Sequence, residues 1–210
     1  MIIDCHTHLP APKPEAVISV TPAEFNPVEG QAYSVGIHPW DTEEAPTAEM
    51  LKLLEEIARH PQVVAIGECG IDLLKGGRMF RQLQIFNWQV KLSESVGKPL
   101  VIHQVKAQDI ILSVRNDLKP TQPWIIHGFR GKAQMAEVFL KAGCYLSFGE
   151  KFNVRAVGSV PSDRILCETD ASEKPIADII AALNEAAGKD LTEAFRDNAT
   201  RLFTPQAQPG

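Results

Sequence analysis

The sequence predicts an α/β protein, a (β/α)8 barrel of the TIM type whose first two outer helices are missing or much shortened. Eight short apolar runs occur along the 210 residues, and amphipathic stretches separate most of them from the third run onward. Strands that alternate with helices indicate a parallel sheet that is buried on both faces. The predicted strands cover residues 2–5, 16–20, 32–37, 63–67, 100–102, 124–126, 144–148 and 164–167.

The first two connections between strands are too rich in proline for a regular helix, because proline lacks the backbone N–H and clashes with the preceding turn. Residues 9–15 contain three prolines and residues 21–30 contain two. The chain is also shorter than the ~250 residues typical of this barrel. We expect one flank of the barrel to be apolar and open, so that a second copy of the chain could cover it in a homo-oligomer.

The later helices are predicted from apolar residues spaced at helical intervals and from stop signals such as Gly97 and Gly188. They cover residues 47–59, 79–96, 106–118, 132–141, 174–187 and 191–202. We therefore expect one domain over residues 1–203, followed by a polar tail at 204–210.

The composition is that of an ordinary globular protein, with 44% hydrophobic and 22% charged residues. A formal net charge of −5 gives no general basic field for nucleic acid. With no secretion signal or membrane-length apolar run in the sequence, we expect a cytoplasmic protein. The four cysteines form no CxxC pair and are expected to be buried free thiols. Cys5 and Cys69 should point toward the outer helices, because each neighbours a candidate ligand on its strand.

The first strand ends in Asp4-Cys5-His6-Thr7-His8. Side chains alternate along a strand, so His6 and His8 should point the same way, with Asp4 one layer below. Neutral imidazole is a common ligand of divalent transition metals. The stretch therefore predicts a metal site at the end of this strand.

Four further strands end in a residue that can bind metal. The active site of such a barrel lies at the carboxyl ends of its strands, so all these side chains should converge there. Imidazole and carboxylate together suit zinc, manganese or similar ions, and six ligands suffice for two. The candidate ligands are His6, His8, Glu68, His103, His127 and Asp170.

Several polar or aromatic residues near these strand ends have roles that the sequence leaves open. His38 either contacts substrate or supports its neighbours, and Glu168, one layer below Asp170, is expected to orient them. Asp72 lies in the predicted loop after Glu68, where it would line the pocket or simply be solvated. Trp40 either packs or provides a stacking surface for a base.

In the identity of its motifs and their order along the sequence, the chain resembles the TatD-like metal-dependent hydrolases, relatives of the amidohydrolase superfamily. The resemblance covers most of the chain and implies a divalent-metal hydrolase with two ions (Mg, Mn or Zn), with Glu68 shared between them. Deoxyribonuclease activity is reported for family members. The matching segments are residues 4–8, 36–39, 66–72, 98–103, 127–131, 168–170 and 198–203, together with Gln82, Phe86 and Gln89.

The chain departs from the family pattern at the rim of the expected pocket. Val105 stands where the family usually has arginine, Arg130 replaces a serine, and Ser172 replaces a proline. Family members are also longer, chiefly in the first outer helices and the substrate loops. Arg130 or Lys106 would then replace the missing arginine as a phosphate contact, so the substrate is expected to differ more than the reaction class.

The sequence therefore favours phosphodiester hydrolysis of nucleic acid by a metal-activated water. Asp170 would be both a metal ligand and the general base, and Glu68 would hold the ions together. Two alternatives stay open. One is metal-dependent hydrolysis of an amide, ester or lactone in a small molecule, and the other is a metal-binding barrel with little turnover.

Overall fold

A computed structural model describes residues 1–204 as a closed barrel of eight parallel strands. Each strand pairs with the next one in the sequence, and the last pairs with the first. This confirms the predicted (β/α)8 architecture. The strands are β1 Asp4–Thr7, β2 Ala16–Val20, β3 Ala32–Val35, β4 Val63–Asp72, β5 Leu100–Val105, β6 Trp124–Ile126, β7 Tyr145–Phe148 and β8 Ile165–Cys167.

The helices surround the barrel from β3 onward. Within residues 1–204, the β1–β2 and β2–β3 connections contain no helix, as their prolines predict. The sequence predicts neither the helix Val154–Ser159 nor a single 3-10 turn at Pro39–Asp41, because both are too short to show helical periodicity. The helices are α1 Ala48–Ile57, α2 Met79–Val96, α3 Gln108–Leu118, α4 Ala133–Lys141, α5 Val154–Ser159, α6 Ile176–Ala187 and α7 Thr192–Phe203.

The barrel interior is apolar at the amino ends of the strands and polar at their carboxyl ends. Ala199 and Phe203 of α7 belong to the same buried cluster as the interior residues Val17, Val101 and Ile125. Asn198 fixes α7 there by donating to the Ile165 and Ser162 carbonyl oxygens. The packed lower half is therefore a rigid support for the side chains above it.

The prediction of an open apolar flank is wrong. The outward residues Ile18 of β2 and Tyr33 and Val35 of β3 are buried, although no helix within residues 1–204 covers β2. Ala11 and Phe25, from the two proline-rich loops, pack against this cluster. Since the chain's own loops cover the flank, a second copy is not needed for that purpose, and self-association stays a prediction.

The predicted orientation of Cys5 is also wrong. Three residue steps of β1, from Asp4 to Thr7, pair with two steps of β2, from Ala16 to Ile18. Such a bulge breaks the alternation of side chains. The Cys5 thiol consequently faces the interior, 2.9 Å from Ser147 Oγ, whereas Cys69 lies in the outer core as predicted.

The Asp4 carboxylate is bound by Thr169, in the segment that follows β8. Its Oδ2 accepts a hydrogen bond from Thr169 Oγ1 at 2.7 Å, and its Oδ1 accepts one from the Thr169 N–H at 3.0 Å. Burial raises the pKa of this carboxyl to about 7, although the bonds from Thr169 oppose the rise. Asp4 therefore ties β1 to the segment that carries Asp170.

None of the helices in residues 1–204 is long and apolar enough to cross a membrane. All four cysteines are buried free thiols. Residues 205–210 of the predicted tail lie outside the described residues, so the domain division after residue 203 stays a prediction.

Candidate metal centre

Five of the six histidines in the chain surround the carboxylate of Glu68 at the carboxyl end of the barrel. Glu68 is only 5% exposed, and each of its two oxygens faces a different set of imidazoles. Oε1 lies 2.8 Å from His103 Nδ1, 2.8 Å from His127 Nε2 and 2.9 Å from His38 Nε2, and Oε2 lies 3.1 Å from His8 Nε2 and 3.2 Å from His6 Nε2.

Asp170 closes the cluster on its solvent side, with its side chain 30% exposed. Its Oδ1 lies 3.8 Å from His8 Nε2 and 4.0 Å from His6 Nε2. The backbone there is pinned to β1, since His8 N–H donates to the Asp170 carbonyl and Asp170 N–H donates to the His6 carbonyl. The structure thus brings all six predicted ligands together, with His38 beside them.

Glycines and a second bulge aim Glu68 into the barrel. Ile66 to Cys69 of β4 spans three residue steps opposite two in β5. Gly67 and Gly70 have φ angles of 140° and 141°, a region that favours glycine. A Cβ at either position would collide with the β5 backbone, at the carbonyl of Val101 or His103.

Two glutamines of α2 hold the strand ends that flank Glu68. Gln89 pairs with both backbone polar groups of Ile37, accepting from its N–H at 2.8 Å and donating to its carbonyl at 3.0 Å. Gln82 does the same for Asp72, at 2.8 and 2.9 Å. The two glutamines are seven residues apart and face the same side of α2. Helix packing therefore fixes the backbone beside His38 and the end of β4.

Two buried carboxylates orient the histidine rings. Glu168 Oε1 lies 3.3 Å from His127 Nδ1 and accepts from the Gly128 N–H at 2.7 Å, which matches its expected orienting role. Asp72 Oδ2 lies 3.1 Å from His103 Nε2. Of the two roles open for Asp72, that of a solvated loop residue is wrong, because β4 continues to this position and leaves it 3% exposed. The sequence contains a signal for this position: Asp72 is four residues after Glu68, and residues separated by an even number along a strand share one face.

The donor atoms fit a divalent cation. The His6 ring is fully buried, and neither of its nitrogens has a hydrogen-bond partner among the described residues. Its Nε2 is 3.2 Å from Glu68 Oε2, but without hydrogen-bonding geometry. Two ligand atoms that bind the same ion at about 2.1 Å lie about 3 Å apart. This buried pair therefore has the spacing of two ligands on one ion.

The pKa values of the cluster are shifted in different directions. Burial and the nearby His127 lower the pKa of His6, so its ring is neutral, as a ligand must be. Burial raises the pKa of Glu68, but the charge on His127 and hydrogen bonds from the surrounding histidines outweigh this and hold it well below its usual range. Glu68 is therefore ionised and His6 neutral. Burial alone would lower the pKa of His127, but Glu68 and Glu168 raise it well above its usual value, so a metal ion would have to displace a proton from that ring.

A cleft of about 780 Å³ opens onto the cluster. His38, His103 and Asp170 form part of its base, and the predicted phosphate contacts Lys106 and Arg130 both lie on its wall. The cleft therefore gives a substrate access to the candidate ligands and to two cations.

The profile of the TatD related DNase family matches residues 28–204. The chain belongs to the TatD family. This confirms the resemblance found in the sequence motifs and the assignment to metal-dependent hydrolases.

The relatives agree with this assignment. The metal-dependent hydrolase YabD of Bacillus subtilis is 30% identical over 196 residues, which cover 81% of this chain and 76% of YabD. The 3'-5' ssDNA/RNA exonuclease TatD of Erwinia billingiae is 34% identical over 150 residues, or 66% of this chain and 56% of that protein. The match thus spans little more than half of the Erwinia protein. The crystal structure of Escherichia coli YjjV has the same fold, with a TM-score of 0.79 at 22% identity over 98% of both chains.

Proposed function

We propose that this TatD-family protein hydrolyses phosphodiester bonds of single-stranded nucleic acid with the help of two divalent ions (Mg, Mn or Zn). The observation that carries the proposal is the Glu68 carboxylate, whose two oxygens face different histidine sets at the base of an open cleft. Such an arrangement suits one carboxylate shared by two ions. The ligands would be His6, His8, Glu68, His103, His127 and Asp170.

When bound, the ions would lower the pKa of a water molecule and polarise a phosphoryl oxygen of the phosphate whose phosphorus that water attacks. Asp170 is the most exposed carboxylate of the cluster, so it is positioned to take the proton of the attacking water. Asp72 and Glu168 would hold the rings of His103 and His127 in their ligating orientation.

From the sequence, His38 either contacts substrate or supports its neighbours. Its distances to the candidate ligands favour both roles. Its Nε2 lies 2.9 Å from Glu68 Oε1 and 3.4 Å from His103 Nδ1. The ring also lines the cleft. We propose that His38 lies between the two metal ions and the substrate, where it would contact a phosphate oxygen.

The cations on the cleft wall and the relative's name support nucleic acid as substrate. Arg130 and Lys106 line the cleft of a chain whose net charge is −5, so phosphate attraction would be local to the site. The Erwinia relative is named as an exonuclease of single-stranded DNA and RNA. Cytoplasmic location and self-association stay predictions.

The test is metal-dependent hydrolysis. We expect protein stripped of metal to be inactive on bis(p-nitrophenyl) phosphate and on a short single-stranded oligonucleotide. Reloading with Mn²⁺, Mg²⁺ or Zn²⁺ should restore turnover, and His103→Ala and Asp170→Ala should each lower kcat by at least about 100-fold. A panel of amides, esters and lactones serves as the comparison. Turnover on that panel but on neither diester would replace the proposal with the small-molecule alternative, and tight metal binding without any turnover would indicate a non-catalytic barrel.

Arg130→Ala should weaken substrate binding. Arg130 lies on the cleft wall, where a charge-assisted hydrogen bond to phosphate is worth roughly 1.5–3 kcal/mol. We expect KM for the oligonucleotide to rise about 10-fold or more while kcat changes little. Arg155→Ala, on the exposed surface of α5, is the matched control. If the two variants have the same KM, Arg130 does not contact the phosphate.

A further inference from the structure

Trp40 presents a large aromatic surface beside the candidate metal centre. It lies in the Pro39–Asp41 turn that follows His38, and it lines the cleft. It is 45% exposed, unlike Trp124 in the core, which is fully buried. Its ring centroid is 4.8 Å from that of His38 and 5.7 Å from that of His103. An exposed indole therefore lies next to the place where the scissile phosphate would bind.

The indole is held in place through the same carboxylate that orients His103. Trp40 Nε1–H donates to Asp72 Oδ2 at 2.7 Å, and its backbone N–H donates to His38 Nδ1 at 3.1 Å. Asp72 is almost fully buried, so this anchor is fixed. A ring that is ordered before the substrate arrives loses little conformational entropy on binding. This favours a recognition role for Trp40 over simple packing.

Lys75 supplies a positive charge next to the ring. Its Nζ lies 3.6 Å from the Trp40 ring centroid, a cation–π distance. Lys75 does not itself line the cleft. Aromatic rings combined with basic side chains are how proteins bind single strands without reading their sequence, with the base stacking on the ring and the backbone attracted to the charge.

We infer that Trp40 stacks against the nucleobase adjacent to the scissile phosphate. This inference rests on the proposed nucleic-acid activity and deepens it, because it specifies a base-bearing single strand as the preferred substrate. A duplex would keep its bases stacked on each other and would not offer a free face to the indole.

The test measures kcat/KM of the metal-loaded enzyme on a short oligothymidylate. The same measurement is made on oligomers of that length in which one residue, at a different position in each, is abasic. We expect wild-type kcat/KM to fall about 10-fold when the base next to the scissile bond is missing, as loss of one stacking contact predicts. In Trp40→Leu this penalty should shrink to less than about 2-fold. Trp40→Phe should keep most of it, because phenylalanine retains a stacking face but loses the bond to Asp72.

The controls separate stacking from indirect effects. Phe80→Leu removes an aromatic ring that is 67% exposed on α2 but does not line the cleft, so the full abasic penalty should remain. If Trp40→Leu also keeps the full penalty, or if the wild type shows none at any position, the stacking inference is overturned. A wild type that cleaves no phosphodiester with any metal would instead overturn the proposed function.

Discussion

Replacing Glu68 by glutamine is expected to lower kcat/KM for a phosphodiester by about 1000-fold, equivalent to roughly 4 kcal/mol of activation free energy. Among residues 1–204, Glu68 is the carboxylate whose two oxygens each face a different histidine set, at 2.8 Å and 3.1 Å from the nearest nitrogens. Glutamine keeps the size but removes the charge and turns one acceptor oxygen into a donor. The substituted site would lack the anionic ligand that the proposed pair of ions would share.

Metal content and steady-state kinetics, measured on the same preparation, test this prediction. Glu68→Gln should retain less than one ion per chain after dialysis against metal, and its circular dichroism should match that of the wild type. Glu185→Gln, on the exposed surface of α6, controls for the loss of one negative charge. Near-normal activity with two ions bound in Glu68→Gln would contradict the role assigned to this carboxylate.

Gln89→Leu is expected to destabilise the protein by about 3 kcal/mol, because it leaves two buried backbone groups without partners. The Gln89 side chain is fully buried and bonds to the N–H and the carbonyl of Ile37. Leucine is close to glutamine in size, so the change removes hydrogen bonds rather than volume. Since Ile37 directly precedes His38, we also expect the variant to lose metal affinity and kcat.

Chemical denaturation of the metal-free protein measures the first effect, and metal titration measures the second. Gln84→Leu is a matched control, because Gln84 lies on the same helix but is exposed. Its free energy of unfolding should stay within about 0.5 kcal/mol of the wild type. Equal stability of the two variants would mean that the Ile37 groups find other partners and that Gln89 does not hold this strand end.

Local sequence patterns were enough to predict the architecture and the residues that meet at the candidate site. Strand and helix periodicities depend on local patterns of apolar residues, so β2, β6 and α2 begin and end at the residues predicted for them. The convergence of His6, Glu68, His103 and Asp170 follows from one property of the fold, since every parallel strand of a closed barrel ends at the same rim.

The directions in which those side chains point, and the contacts that support them, depend on tertiary packing. The bulges in β1 and β4 depend on the register with β2 and β5, which no local pattern encodes, so the orientation of Cys5 was predicted wrongly. Asp72 proved to be buried because β4 extends beyond its apolar run. The flank without helices is closed by loops whose packing depends on distant residues.

The contacts that prepare the site likewise join parts of the chain far apart in sequence. Gln89 and Ile37 are separated by 52 residues, and Glu168 and His127 by 41. A sequence pattern shows which residue types are available, but a hydrogen bond needs an approach within about 3 Å and a suitable angle, which only the packed barrel provides.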